Sequence, residues 1–183
     1  MAVTPPESRV WWKEPVAKIE LTWVIIAFLW GLVMFFMMIY WHVVGEQNIS
    51  NEAYRIDAET FTKKTQAMVD QHTVGQRKAR NSDREVPVVA PPPGSDVYLI
   101  GRLWEWWPIL QLQKGKSYRL HVSSVDWQHG LSLQPVNINL QVHPGYEMVT
   151  TITPRDKGEF TVVCNEYCGI GHHLMLGKIL VVD

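Results

Sequence analysis

The composition of this 183-residue chain allows one modest folded domain and an additional segment. Hydrophobic residues make up 46% of the sequence, and the net charge at pH 7 is −1, so we expect no nucleic-acid partner. Two cysteines are too few to hold together a disulfide scaffold. The sequence also shows no glycine-rich phosphate loop, nucleophile elbow or internal repeat, which argues against several classes of enzyme and solenoid.

One long apolar stretch near the N-terminus predicts a transmembrane helix over residues 21–45. The stretch contains no Asp, Glu, Lys or Arg, and as a helix it would rise about 37 Å, enough to cross a hydrocarbon core of about 30 Å. Trp23 and Trp41 lie near its two ends, where aromatic rings favour the membrane interface. A cleaved signal peptide would have an apolar region of only about 7–15 residues that ends in small residues. We therefore predict a retained, lipid-contacting helix, preceded by a short polar segment over residues 1–20.

The next part of the chain, residues 46–95, is polar and ends in a triple proline followed by Gly and Ser. Such a proline run is stiff and extended and cannot join the interior of a sheet. The spacing of Ala58, Phe61, Thr65 and Met68 would give a short helix only a weak apolar face. We interpret this part as a connector that lies along partner subunits.

The pattern changes to short strands over residues 96–183. Turn residues separate these strands at regular intervals, which is typical of an antiparallel sandwich or barrel. The predicted strands are Val97–Leu103, Leu110–Leu112, Tyr118–Ser123, Ser132–Leu133, Asn137–Val142, Glu147–Thr153, Gly158–Val163 and Lys178–Val182.

Near the end of the chain, residues 164–175 combine both cysteines with a histidine and a methionine in the pattern C-x-x-x-C-x-x-x-H-x-x-M. Thiolate and thioether sulfurs form a soft ligand set that suits copper better than magnesium, calcium or manganese. Structural zinc sites rarely use methionine, so Met175 argues against zinc. A disulfide between Cys164 and Cys168 is the alternative for an extracytoplasmic domain. The histidine and methionine at fixed offsets favour a metal site.

The same segment resembles the dinuclear CuA loop in subunit II of the heme–copper oxidases. The resemblance implies that the sulfurs of Cys164 and Cys168 bridge two copper ions. It further implies that His172 and Met175 are terminal ligands and that Glu166 donates its backbone carbonyl. His173, next to His172, does not have the spacing of the family ligand.

A second motif supplies the remaining ligand of that family. Residues 124–129 read Ser-Val-Asp-Trp-Gln-His and resemble the family motif S-x-D-x-x-H, which makes His129 the upstream ligand. The resemblance covers about residues 96–183. It implies an all-β, cupredoxin-like Greek-key sandwich with one N-terminal transmembrane helix.

The run Glu20-Leu21-Thr22-Trp23 resembles the helix start in subunit II of the B-type heme–copper oxidases. One transmembrane helix instead of two also fits that branch. In that branch, a glutamate that matches Glu20 lies at the entrance of the proton channel of subunit I. The resemblance thus gives Glu20 a candidate role in proton uptake. A helix-start carboxylate favoured by the helix dipole is the alternative. The resemblance also implies a single-pass protein of the plasma (inner) membrane, with a cytoplasmic N-terminus and a periplasmic or extracytoplasmic C-terminal domain.

Two further roles follow from the resemblance. Trp104 occupies the position at which cytochrome c passes its electron into subunit II, although an aromatic residue on a strand is more often core. In much of the family, the side chain of the residue that matches Glu166 reaches a magnesium or manganese site at the boundary with subunit I. From Pro91 onward the numbers of acidic and basic residues nearly balance, so we expect weak salt dependence of donor docking.

Taken together, the resemblance implies an oxidase subunit that takes electrons from cytochrome c or a small copper protein and passes them to heme in subunit I. Oxygen is reduced there, in a reaction coupled to proton translocation. The small subunit of a CuA-containing nitric oxide reductase is one alternative, because its copper module would look the same. A membrane-tethered copper-binding or chaperone module is another.

Overall fold

The computed structural model describes residues 15–44 and 52–183, which belong to two compact units. Three sequence-based expectations lie wholly or partly outside the described residues. They are most of the polar segment 1–20, Gly45 at the end of the expected membrane helix, and the first residues of the expected connector.

The described residues of the first unit form one helix, α1 (Lys18–Val44). It begins three residues before the predicted start, because the Glu20 carboxylate accepts a hydrogen bond of 3.0 Å from the backbone N–H of Ala17 and satisfies a free amide there. None of the described side chains of α1 is buried. Within the described residues, α1 is the one helix long and apolar enough to cross a membrane.

The second unit is a β-sandwich with one helix, α2 (Ala58–His72). Its strands are β1 (Glu52–Arg55), β2 (Thr73–Lys78), β3 (Glu85–Val89), β4 (Asp96–Arg102), β5 (Glu105–Trp107), β6 (Ile109–Gln113), β7 (Tyr118–Ser124), β8 (His129–Leu133), β9 (Ile138–Val142), β10 (Tyr146–Ile152), β11 (Gly158–Cys164) and β12 (Leu176–Val182). Every predicted strand overlaps one of these. The expected fold class, a cupredoxin-like Greek-key sandwich with one N-terminal apolar helix, is confirmed.

The strands form two sheets, with the orders β1-β10-β7-β4-β5 and β2-β3-β6-β12-β11-β8-β9. The expectation of a purely antiparallel sandwich was wrong, because β4 pairs with β7, β3 with β6, and β6 with β12 in parallel. The chain leaves one sheet and returns to it through the other, and such crossover connections are what parallel neighbours require. The inward-facing side chains of both sheets make up the core.

The ordered domain extends into the segment interpreted as a connector. Strand β1 pairs with β10, and the hairpin of β2 and β3 adds two strands to the larger sheet. Helix α2 packs on the sandwich through Phe61, Thr65, Met68 and Val69, which are all buried. These elements carry a weak sequence signal because β1 and β2 are exposed along their whole length. The partner of β1, strand β10, also lies far away in sequence.

Candidate metal centre

Three buried side chains meet at one end of the sandwich. His129, Cys164 and Cys168 place one candidate ligand atom each within 4.8 Å of one another. The two Sγ atoms are 3.8 Å apart and both cysteines are free, so the disulfide alternative is not realised. The structure therefore unites two motifs that are 35 residues apart in sequence.

The other predicted ligands complete the cluster. The Nδ1 atom of His172 and the Sδ atom of Met175 both lie 3.6 Å from the Cys168 Sγ atom. The carbonyl oxygen of Glu166 lies 3.2 Å from the Cys164 Sγ atom, and Nδ1 of His129 lies 3.9 Å from it. Donor atoms that share one ion with bonds of about 2.0–2.3 Å are separated by about 3–4 Å. The spacing thus suits metal binding, and the role of each residue as a ligand stays a prediction.

The backbone fixes this arrangement at the base of the loop. Cys164 is the last residue of β11, and its N–H donates to the carbonyl of Met175, just before β12. The N–H of Asn165 donates to the carbonyl of Gly130, next to His129 at the start of β8. Both ends of the loop are therefore tied to neighbouring strands, which hold the donor groups on a rigid scaffold.

Asp126 orients the upstream histidine. Its Oδ1 atom lies 2.8 Å from Nε2 of His129, so Nδ1 is left facing the cysteine sulfurs. The carboxylate also accepts hydrogen bonds from the backbone N–H groups of Leu103 and Trp127. A hydrogen bond at the second nitrogen is the usual way in which proteins orient a metal-binding histidine. Our sequence analysis did not assign this role, although the motif S-x-D-x-x-H contains the aspartate.

Comparison with known proteins identifies the family. The cytochrome c oxidase subunit 2 of Thermus thermophilus is 31% identical over 116 residues, which cover 63% of this chain and 86% of that protein. The chain belongs to the cytochrome c oxidase subunit 2 family. The alternative cytochrome c oxidase subunit 2 of Bradyrhizobium diazoefficiens is 32% identical over 72 residues, which cover 39% of this chain and 26% of that protein. No family model matches the chain.

A solved structure supports the fold. A chain in the cryo-EM structure of a heme–copper terminal oxidase dimer superposes with a TM-score of 0.56 at 23% identity, covering 90% of this chain and 100% of that one. As a subunit 2, the chain is part of an oxidoreductase complex whose catalytic site lies in another subunit. Two thiols, two imidazoles, a thioether and a carbonyl form a soft donor set, which fits copper.

The electrostatics of this subunit 2 site favour a charged Cys164–His129 pair. Burial by itself raises the pKa of the Cys164 thiol, but hydrogen bonds with His129 and at the backbone of Gly130 and Glu166 lower the pKa to about 6. Burial lowers the pKa of His129, and its contacts with Cys164 and Asp126 raise the pKa above the usual value. Burial and the negative charge of Cys164 raise the pKa of Cys168. At neutral pH we therefore expect a Cys164 thiolate beside a protonated Cys168 thiol, with the charged form of His129 favoured by its two partners.

These pKa shifts predict that copper uptake depends on pH. Copper ligands must be deprotonated, so binding has to release the proton of Cys168, whose pKa is raised to about 12. We expect the apparent affinity of the metal-free protein for Cu(I) to rise by at least about tenfold per pH unit between about pH 6.5 and 8. Anaerobic competition with a chelator measures this slope. A pH-independent affinity in that range would contradict the assignment of protonation states.

The contact of Asp126 gives a second prediction. Asp126→Asn keeps the size of the side chain but removes the charge that holds the ring of His129. We expect a loss of copper affinity of about 10–100-fold with a folded domain, because outer hydrogen-bonding partners of metal ligands contribute about that much. Copper titration and circular dichroism measure the two quantities. Asp156→Asn, which changes an exposed aspartate in the turn before β11, is the matched control and should bind copper normally.

Trp104 packs directly on the loop of residues 164–175, which we call the copper loop. Its Nε1–H donates to the carbonyl of Cys168 at 3.3 Å, and its ring is 41% exposed. The ring packs so closely on Gly171 that a Cβ atom there would lie 2.6 Å from Cγ of Trp104. The neighbouring Trp106 is a core residue at 3% exposure. Trp104 is thus a surface residue in hydrogen-bond contact with a predicted ligand.

The remaining predicted residues have separate surroundings. Glu20 lies in the first turn of α1, in the other structural unit. The side chain of Glu166 accepts a hydrogen bond of 3.1 Å from Gln141. His173 is exposed, in agreement with the choice of His172 as the residue that faces Cys168.

Proposed function

We propose that this subunit 2 accepts single electrons from a soluble donor at a dinuclear CuA centre and passes them to heme in subunit I. The donor is cytochrome c or a small copper protein, and subunit I reduces oxygen to water in a reaction coupled to proton translocation. One observation supports the proposal above the others: six soft or carbonyl donor groups converge at one end of a rigid sandwich. The proposed ligands are His129, Cys164, Glu166, Cys168, His172 and Met175.

In this proposal each residue has a distinct task. Cys164 and Cys168 would hold the two metal ions through their thiolates, His129 and His172 would each bind through Nδ1, and Met175 would add its thioether sulfur. Copper bound here would supply a one-electron carrier. Because the loop is tied to β8 and β12, the ligands need not move when the charge changes, and electron transfer is then fast.

Trp104 is the proposed point at which electrons enter. It joins the protein surface to Cys168 through one hydrogen bond, so an electron needs to cross no solvent gap. In Trp104→Ala we expect the first-order transfer step within the donor complex to slow while the copper content stays unchanged. Trp127→Ala, which removes a 64% exposed tryptophan, should change donor binding but not that step. Stopped-flow measurement at saturating donor separates the two effects.

The proposal places α1 in the lipid bilayer of the plasma (inner) membrane, with the N-terminus in the cytoplasm and the β-sandwich in the periplasm. Residues 21–45 then span the membrane, and the strands of residues 96–183 carry the CuA site in a domain to which β1, α2, β2 and β3 also belong. Glu20 lies at the proton-uptake entrance of a B-type enzyme, and slower proton uptake by Glu20→Gln oxidase in vesicles tests this. The Glu166 carboxylate is a candidate ligand for Mg²⁺ or Mn²⁺ at the boundary with subunit I, which metal analysis of Glu166→Gln oxidase tests.

The decisive experiment uses the intact complex. Purification through this chain should recover a heme-bearing partner, and anaerobic mixing with reduced cytochrome c should reduce the copper before the heme. Oxygen consumption without nitric oxide consumption would support the oxidase. The opposite result would make the chain part of a nitric oxide reductase. Recovery of the chain alone, with copper but without heme, would favour a copper-binding module.

A further inference from the structure

An apolar patch covers the copper loop. Leu103, Trp104, Trp127, Tyr167 and Ile170 surround a depression that Cys168 and Gly169 also line. Tyr167 is 79% exposed and Ile170 is 87% exposed. Single exposed apolar side chains are ordinary, but a contiguous group of this kind marks an interaction surface. We call these five residues the apolar patch.

The turn between β2 and β3 forms one side of this patch. The side chain of Asn81 donates a hydrogen bond of 3.0 Å to the carbonyl of Leu174 in the copper loop. Arg84 lies with Leu103 and Trp104 along the same groove and forms an ion pair with Glu105. The hairpin therefore brings its charges to the edge of the apolar patch, although it comes about 90 residues earlier in the sequence.

The charge on this side is positive. Six cationic side chains stand against the five carboxylates of Asp83, Glu85, Glu105, Asp126 and Glu159, of which Asp126 is engaged by His129. Glu159 is shared by three of the cations, and Glu105 by two, so these carboxylates are already engaged. The six cations, which we call the basic flank, are Arg77, Lys78, Arg80, Arg84, Arg102 and Lys178.

The count of charges from Pro91 onward missed this feature because it left out the hairpin. That count gave a nearly neutral domain and predicted weak steering. In the folded domain, the hairpin contributes four additional cations (Arg77, Lys78, Arg80, Arg84), and its turn reaches the copper loop through Asn81 and the groove of Trp104 through Arg84. Glu166 lies at the copper loop as well, but it is half-buried and engaged by Gln141. The patch thus has a basic flank without a matching exposed acidic one in the described copper loop.

From this geometry we infer that the electron donor of this subunit is a small redox protein with an apolar face around its redox group and carboxylates on one side of that face. The inference rests on the proposed electron-accepting function. Apolar contact at the patch brings the donor close to Trp104 and excludes water, and opposite charges steer the encounter and fix the orientation. A lysine-rich donor face would instead meet like charges on the basic flank.

The test compares two forms of one donor on the intact oxidase. A lysine-rich mitochondrial-type cytochrome c and the same protein with succinylated lysines differ in surface charge and share the heme environment. Stopped-flow reduction of the copper centre gives the second-order rate constant of each form at increasing ionic strength. We expect the succinylated form to react faster at low salt and to slow as salt is added, while the native form speeds up with salt.

Paired variants assign the effect to the basic flank. The double variant Arg80→Gln/Arg84→Gln leaves both Glu159 and Glu105 with other cations. It should lower the low-salt rate of the succinylated form by at least about threefold and leave the high-salt rate unchanged. The control Lys114→Gln/Lys116→Gln removes the same charge at the opposite end of the sandwich, beyond β6, and should leave both rates unchanged.

The outcomes separate the two proposals. Faster reaction of the lysine-rich form at low salt, or equal effects of the two double variants, would overturn the inference and leave electron acceptance intact. If neither form reduces the copper at any salt concentration, the electron-accepting function itself fails, and the inference fails with it.

Discussion

Replacing one sulfur of the proposed centre, in Cys168→Ser, is expected to abolish the near-infrared absorbance of CuA and to lower electron transfer from the donor to heme by more than about 100-fold. Loss of an outer partner already costs about 10–100-fold in metal affinity, and the loss of a bridging thiolate must cost more. The Sγ atom of Cys168 lies within 3.8 Å of the Cys164, His172 and Met175 donor atoms. Copper analysis, absorbance and stopped-flow kinetics of the oxidase measure the effect.

A control for this variant lies in the same loop. Ile170 is 87% exposed and lies two residues after Cys168, so Ile170→Ser changes the loop composition without removing a donor atom. Its copper content and spectrum should match those of the unmodified protein. A Cys168→Ser protein with the full complement of copper and an unchanged spectrum would contradict the proposal that the cysteines are bridging ligands.

The second large effect is expected for Gly130→Ala, which replaces none of the proposed ligands. A Cβ atom at this position would lie 2.7 Å from Cγ and 2.8 Å from the backbone nitrogen of Glu166, and it would also collide with the side chain of Asn165. Because the Glu166 nitrogen belongs to the backbone, the collision must shift the first turn of the copper loop. We expect copper affinity to fall by at least about tenfold and the free energy of unfolding by about 1–3 kcal/mol.

Gly75→Ala is the matched control, because a Cβ atom there meets nothing within 4 Å. Denaturant unfolding and copper titration of both variants give the two quantities. If Gly130→Ala bound copper as tightly as Gly75→Ala does, the close packing of β8 against the loop would not be what positions the carbonyl of Glu166.

Much of the β-sandwich could be predicted from sequence. Strands β4 and β6 to β12 are short runs separated by clear turn signals, so local pattern was enough. Strands β1 and β2 are polar and exposed, and β1 owes its pairing to the distant strand β10, whereas β2 pairs with the neighbouring β3. Strand β5 has only three residues, too few to show alternation. For these reasons the sequence pattern placed all of residues 46–95 in a connector.

The candidate site was predictable for a different reason. Five of its six proposed donors fall within twelve residues, at spacings set by the geometry of one loop, and His129 is marked by its own short motif. Family resemblance could attach a role to these residues because the chemistry is local. The orienting contact of Asp126 was present in the same motif, but only the distance of 2.8 Å to His129 reveals it.

The sequence by itself determined the type of chemistry, the proposed copper donor set, and the existence of one apolar helix followed by a β-domain. Each of these depends mainly on short, contiguous stretches of residues. Only the tertiary structure decided what surrounds the donor set. The hairpin turn of Asn81 and Arg84 reaches Leu174 and Trp104 across some 90 residues of intervening chain. Charge counts along a chain cannot show such a meeting, because the field at a surface depends on which side chains folding brings together there.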